Sequence, residues 1–267
     1  MMVALRRIVL AAYAVFLLAP FYWMVNLSFQ PNNDILKSVE VFPRGIVAKN
    51  YLTVLYDSVW TSGFFNGLAY AGLSTIIAMA VALPAAYVIS RHRFPGRQSL
   101  LGWLLANRLA PPVIFVAVYF ETARATALFD SYMAVALAHC LFTVPLAVWL
   151  LKRYMDQVSR HLDEAALLDG FSFWQFFRTI LLPTIRPGVI ATAAFCFLYS
   201  WIEFLLARSL TASDAAPLVS TMIDAANSSE PPWGTIAAAA VLSLLPGVII
   251  IWAARHHIAT VLSFGRR

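Results

Sequence analysis

Six long apolar runs, at about 8–27, 65–89, 100–120, 133–151, 189–207 and 235–254, alternate with short polar stretches along the chain. A hydrocarbon core about 30 Å thick takes about 20 predominantly apolar residues to cross as one helix. The pattern therefore predicts an all-α membrane protein of six transmembrane helices, a single domain over 1–267. The first run follows Arg6-Arg7, is long for the apolar core of a secretion signal and has no small-residue cleavage site at its end, so it reads as an anchor. Breakers mark the larger connections: Pro31-Asn32-Asn33 and Pro43 in 28–62, and Ser228, Ser229, Pro231 and Pro232 in 211–233.

The polar interruption at 159–182 carries structure of its own. Ser159 is placed to cap a short helix, with Asp163 and Glu164 near its positive end and Asp169-Gly170 where a left-handed residue ends it. Ser172 with Gln175 forms the pattern of a capping box that starts a second helix, and Phe171 and Phe176 occupy the two positions of a hydrophobic staple. Two short helices joined at a glycine, with Leu162, Ala165, Ala166, Phe173, Phe176 and Phe177 among charges, make an amphipathic knob. From physics alone it is equally a plain connector or a docking element for a partner's groove.

Composition agrees with the pattern. A chain of 267 residues that is 61% hydrophobic and 12% charged, with mean hydropathy +0.75, cannot hide its apolar surface in one soluble core. Cys140 and Cys196 sit inside apolar runs, without metal spacing or a disulfide framework. If the six spans alternate, Arg6, Arg7, Arg91, Arg93, Arg97, Lys152, Arg153, Arg160, Arg178, Arg186, Arg255, Arg266 and Arg267 fall on one side. The richer side is cytoplasmic, which puts both termini and the 159–182 loop there and makes the net charge of +6 a matter of topology, not of nucleic acid.

Glu164-Ala165-Ala166, three residues, Gly170, nine residues, Ile180, then Leu182-Pro183 resembles throughout its spacing the cytoplasmic EAA loop of ABC importer permeases. The resemblance implies that Glu164, Ala165, Ala166, Asp169, Gly170 and Phe171 belong to a coupling helix inserted into a separate ATPase subunit. It extends further: Ala85-Ala86-Tyr87 to Arg97, Asn66-Gly67-Leu68, Pro111-Pro112 with Tyr119, and Trp201 with Glu203-Phe204 are similar to the maltose-permease type of carbohydrate importer subunit. Two positions depart from that type: Ile202 stands where Asn is common between Trp201 and the acid, and Gly67 where serine is frequent. The resemblance implies the type I ABC importer fold, a second related permease subunit, two ATPase subunits holding ATP and Mg²⁺, an external solute-binding protein, and a sugar or polyol cargo crossing the bacterial inner membrane. The chain itself would bind no cofactor.

Polar groups inside spans are costly and so are candidates for a translocation path. Glu203, late in the fifth span, reads either as an interfacial carboxylate reaching water or as a path group. Asn107 and Pro111, where Pro111-Pro112 breaks the third span, read either as lining a hydrated path or as a kink satisfied by a neighbouring helix. Tyr119 and Trp201 join this group through the resemblance. Trp60, Trp103, Trp174, Trp201 and Trp233 read as interfacial anchors, Asn66 as a cap of the second span, and His139 as hydrogen-bonded inside the bundle with no carboxylate at ligand spacing. No glycine precedes a lysine, so no Walker phosphate loop exists, and H-E-x-x-H and G-x-S-x-G are absent too. The expectation is a transport subunit and not an enzyme. The rival reading is an ATP-independent secondary transporter or channel subunit.

Overall fold

The computed structural model describes residues 2–35, 40–42 and 47–263; the breaker Pro43 and the tail residues 264–267, with Arg266 and Arg267, lie outside them. The described chain is helical: α1 Met2–Ser28, α2 Asn32–Ile35, α3 Lys49–Tyr56, α4 Ser58–Arg91, α5 Arg97–Asn107, α6 Val113–Ala125, α7 Tyr132–Asp156, α8 His161–Leu168 and α9 Phe173–Phe176. A π-helical turn at Phe177–Leu181 follows, then α10 Leu182–Thr184, α11 Arg186–Ile202, α12 Leu205–Leu210, α13 Leu218–Ala226 and α14 Trp233–Ser263. Four of these helices, α1, α4, α7 and α14, are long and apolar enough to cross a membrane. A fifth span results if α11 and the bent segment Phe173–Thr184 before it, at 79° to it, count as one.

Two predicted spans thus differ from single helices. The third is split by Pro111-Pro112 into α5 and α6, of 11 and 13 residues, each too short to cross alone. The fifth stops at Ile202, because Glu203 takes an extended conformation and its carboxylate accepts the N–H groups of Leu205, Leu206 and Ala207, capping α12 as a new helix. The second begins at Ser58 and not near 65, since Asp57 Oδ1 accepts the Val59 N–H and caps it there. Asn66 is consequently inside α4 and caps nothing.

The chain forms two compact units, 1–65 with 217–246 and 66–216 with 247–267. In the first, Val54, Trp60, Leu218, Ala238 and Ala239 make the core, so Trp60 is a core residue and not an interfacial anchor. Buried Asn50 holds the turn after α1, donating to the carbonyls of Ser28 (2.9 Å) and Gln30 (2.8 Å). None of the most apolar stretch of α1 is buried.

In the second unit α7 is the central helix, with 67% of its most apolar stretch buried. One core gathers Ala78, Ala82, Ala86, Leu151, Met155, Ala166, Phe177 and Leu181; another gathers Tyr70, Val135, Phe142, Leu206 and Leu210. Small residues set the close approaches between these helices. A β-carbon on Gly188 of α11 would lie 2.3 Å from the ring of Tyr154 on α7, so only glycine permits that crossing. Gly188→Val should cost about 1–3 kcal/mol through overpacking, read from unfolding in mixed micelles. Tyr154→Ala in the same chain should recover part of that loss, and equal losses in both backgrounds would contradict the contact.

Candidate functional site

The hairpin from α8 to α10 is built as a stiff protrusion on a fixed base. The cap position of α8 is Arg160, which makes no side-chain cap bond, one residue after the predicted Ser159, whose Oγ still accepts the His161 N–H at 3.3 Å. At the other end Gly170 has φ +79°, and its N–H reaches the Leu167 carbonyl while Phe171 N–H reaches Ala166 at 2.9 Å. That pair of bonds is a Schellman motif, which takes up the carbonyls left at a helix end. No neighbour lies within 4 Å of a β-carbon placed on Gly170, so its requirement is the left-handed backbone and not space. The capping box forms as expected: Gln175 N–H donates to Ser172 Oγ (3.4 Å) and Ser172 N–H to Gln175 Oε1 (2.8 Å). Phe171 packs on the cluster that contains Phe176.

The two faces of the hairpin differ. Ala166, Phe176 and Phe177 are buried in the α4–α7 core, whereas Leu167, Leu168 and Trp174 are exposed by 71%, 89% and 62%. Ala165, Asp169 and Gly170 are exposed with them, and Glu164, on the first turn, pairs only loosely with His161 at 3.2 Å. Behind this surface, Arg91 at the end of α4 meets Asp163 (Nε to Oδ2, 2.6 Å) and donates to the Met155 carbonyl. Arg160 donates to the Ser90 carbonyl, and Ser90 Oγ to Asp156. Burial lifts the Asp163 carboxyl above its ordinary range, with Arg91 pulling the other way. Aromatic rings of Tyr87, Phe173, Trp174 and Phe177 meet edge to face along the seam.

Of the five candidate path residues, Asn107, Tyr119, Trp201 and Glu203 are engaged with neighbours. Asn107 on α5 donates to the Leu141 carbonyl of α7 at 2.9 Å. Leu141 lies four residues before Pro145, whose missing N–H leaves that carbonyl without its helical partner. Glu203, besides capping α12, meets His139 Nε2 at 3.0 Å, and His139 Nδ1 lies 2.6 Å from Ser200 Oγ. His139 therefore does have a carboxylate partner, brought from 64 residues away, and is fully buried with Tyr70 edge-on to it. Glu203 does not reach open water, its side chain being 7% exposed. Trp201 lies on Gly67, where a β-carbon would come within 2.8 Å of its ring, and Tyr119 packs on the same cluster as Trp201. That contact is the physical reason for glycine at 67. Pro111 is exposed at the α5–α6 break and is not brought to the others.

A second loop is clamped without any sequence signal. Asp130 (φ +60°) accepts N–H groups from Ala212, Ser213, Asp214 and Ala215. Burial works to raise its carboxyl, but the four N–H groups outweigh that and hold it well below the usual carboxylate range. This contribution is present above the ordinary carboxylate pKa and fades only as pH falls through the lowered folded value. Asn66 completes the clamp, donating to the carbonyls of Asp214 and Ala216 and accepting from Tyr132.

Residues 59–261 match the family described as binding-protein-dependent transport system inner membrane component. The chain belongs to that family. It is thus an inner-membrane, multi-pass permease of the ABC importer kind. Among its relatives is the trehalose transport system permease protein SugB of Mycobacterium tuberculosis, 30% identical over 251 residues, covering 93% of this chain and 91% of SugB. The trehalose/maltose transport system permease protein MalG of Thermococcus litoralis is 30% identical over 269 residues, covering 98% and 96%. A chain of a bacterial ABC transporter involved in the import of the acidic polysaccharide alginate shares the fold with TM-score 0.79 at 18% identity, covering 96% of this chain and 95% of that one. The permease fold is accordingly the type I importer fold.

Asn107→Leu should destabilise the permease by about 1–3 kcal/mol, the cost of an unpaired carbonyl in an apolar surrounding. In a Pro145→Ala background a new N–H can take the Leu141 carbonyl, so the same substitution should cost much less. Mixed-micelle unfolding of the four proteins checks this, and an undiminished loss in the double variant would contradict the assignment.

Proposed function

We propose that this permease is the transmembrane subunit of an ATP-driven importer that carries a sugar or polyol inward. The observation that carries the reading is the hairpin: a capped, Schellman-ended lever with Leu167, Leu168 and Trp174 exposed around Glu164, and its other face built into the α4–α7 core. An exposed apolar knob rimmed by the carboxylates of Glu164 and Asp169 is the shape of a helix that fills a groove on another protein. In this reading the partner is an ATPase subunit, which holds ATP and Mg²⁺. Six spans alternate with both termini and the hairpin cytoplasmic, as the basic residues direct, with α5–α6 and α11–α12 as broken spans. A second permease subunit completes the pathway, and an external binding protein delivers the solute.

Closure of two ATPase subunits moves the docked hairpins together. Because Ala166 and Phe177 are embedded in the core with Leu151 and Met155, the movement is passed to α4 and α7 and not absorbed in a loop. The cargo class follows the relatives, whose names specify trehalose, trehalose/maltose and diacetylchitobiose. A secondary transporter would need a free ionisable group deep in a span; Glu203 is instead committed to His139 and to the N-terminus of α12.

Glu164→Lys should abolish solute uptake and solute-stimulated ATP hydrolysis while leaving the permease in the membrane. Reversing a docking charge costs about 2–5 kcal/mol. The check is uptake of radiolabelled trehalose, maltose and glycerol in cells expressing the permease with its neighbouring transport genes. Normal uptake by the variant would refute the coupling role.

A further inference from the structure

Behind the hairpin the ends of α4 and α7 border an open polar cavity of about 430 Å³, lined by Ser90, Arg91, Arg97, Asp156, Gln157 and Arg160 among others. Its charges do not cancel. Among the described residues Asp163 balances Arg91, and Lys152 balances Asp156 at 2.5 Å, so the charges of Arg97 and Arg160 are in excess. Two of the guanidinium groups are also unsatisfied: Nη2 of Arg91, a side chain only 5% exposed, and Nε of Arg97 are buried without a hydrogen-bond acceptor. Buried charged donors without acceptors are costly. Arginines that serve only as topology signals lie free in water, whereas Arg91 is buried, lines this polar space and keeps Nη2 unpaired.

We propose that this cavity binds a phosphate group, as borne by the headgroup of an anionic phospholipid or by free phosphate. Guanidinium groups match phosphate oxygens in fork geometry, and the Gln157 amide adds a neutral donor. The cavity has the volume for a headgroup, and it opens where α4 and α7 leave their apolar stretches, the depth at which headgroups lie. An anion there bridges the ends of α4 and α7 to Arg160 at the foot of α8, tightening the base of the lever. The proposal needs neither the coupling role of Glu164 nor an ATPase, so it stands or falls separately from the function proposed above.

The test uses the full chain in detergent, with binding followed by native mass spectrometry. Short-chain phosphatidylglycerol should be retained more strongly than phosphatidylcholine of the same chain length. Arg97→Gln and Arg160→Gln should each weaken phosphatidylglycerol binding about fivefold, the effect of one arginine beside an anionic lipid, and leave phosphatidylcholine unchanged. Both arginines lie outside the Arg91–Asp163 pair, so folding should survive either change. Inorganic phosphate that displaces phosphatidylglycerol, or binds alone and is lost in the same variants, supports the same site with the free anion as ligand. Equal retention of the two lipids with no phosphate binding, or unchanged phosphatidylglycerol binding in both variants, would overturn it.

Discussion

Force applied to the exposed hairpin reaches the spans only if its base does not yield, and the base is fixed by Arg91 against Asp163. These groups are 2.6 Å apart, with side chains 5% and 15% exposed. Breaking such a pair from one side strands a buried charge and costs about 3–5 kcal/mol. Around it the same few turns are tied again by Arg160 to Ser90, Ser90 to Asp156 and Arg91 to Met155, and Ala166 and Phe177 sink into the core beside them. The polar ties orient α8 and the apolar contacts hold it. Exposed Leu167, Leu168 and Trp174 are left as a surface that the described residues do not cover.

The interior obeys a second constraint. Where helices break inside an apolar region, backbone groups lose their partners and water does not replace them. Two of these losses are answered by a side chain: Asn107 takes the Leu141 carbonyl freed by Pro145, and Glu203 takes the N–H groups that open α12. His139 then orients Glu203 from α7 and Ser200 orients His139. The polar groups that draw attention along the spans are therefore largely committed to keeping broken helices intact. Asp130 does the same for the 212–215 loop.

Much of this was legible in the sequence, and for definable reasons. The hairpin follows local rules, so Gly170, Ser172 and Gln175 announced its ends, and the Glu164-to-Pro183 spacing pointed to the permease family that residues 59–261 confirm. Pro111-Pro112 marked the break between α5 and α6, although the apolar run through it suggested one span. What escaped is nonlocal. The His139–Glu203 pair, the Asp130 clamp and the Asn66 contacts join residues 64 to 150 apart, and no periodicity encodes such partners. The π-helical turn at Phe177–Leu181 escaped as well, because its wider ladder leaves no mark on the hydrophobic pattern. One signal was available and unused: Pro145 stands four residues after Leu141, which calls for a donor from elsewhere.

The central claim, that the hairpin seats its exposed face in an ATP-hydrolysing partner, is tested most directly by photocrosslinking. A photoreactive residue at Leu168, 89% exposed at the hairpin, is compared with one at Trp103, 64% exposed on α5 and outside the hairpin. In membranes containing the co-expressed transport subunits, the account predicts a crosslink from position 168 to a nucleotide-binding subunit, altered by ATP, and none from position 103. No crosslink from 168 to any nucleotide-binding protein, under conditions where uptake is intact, would contradict it.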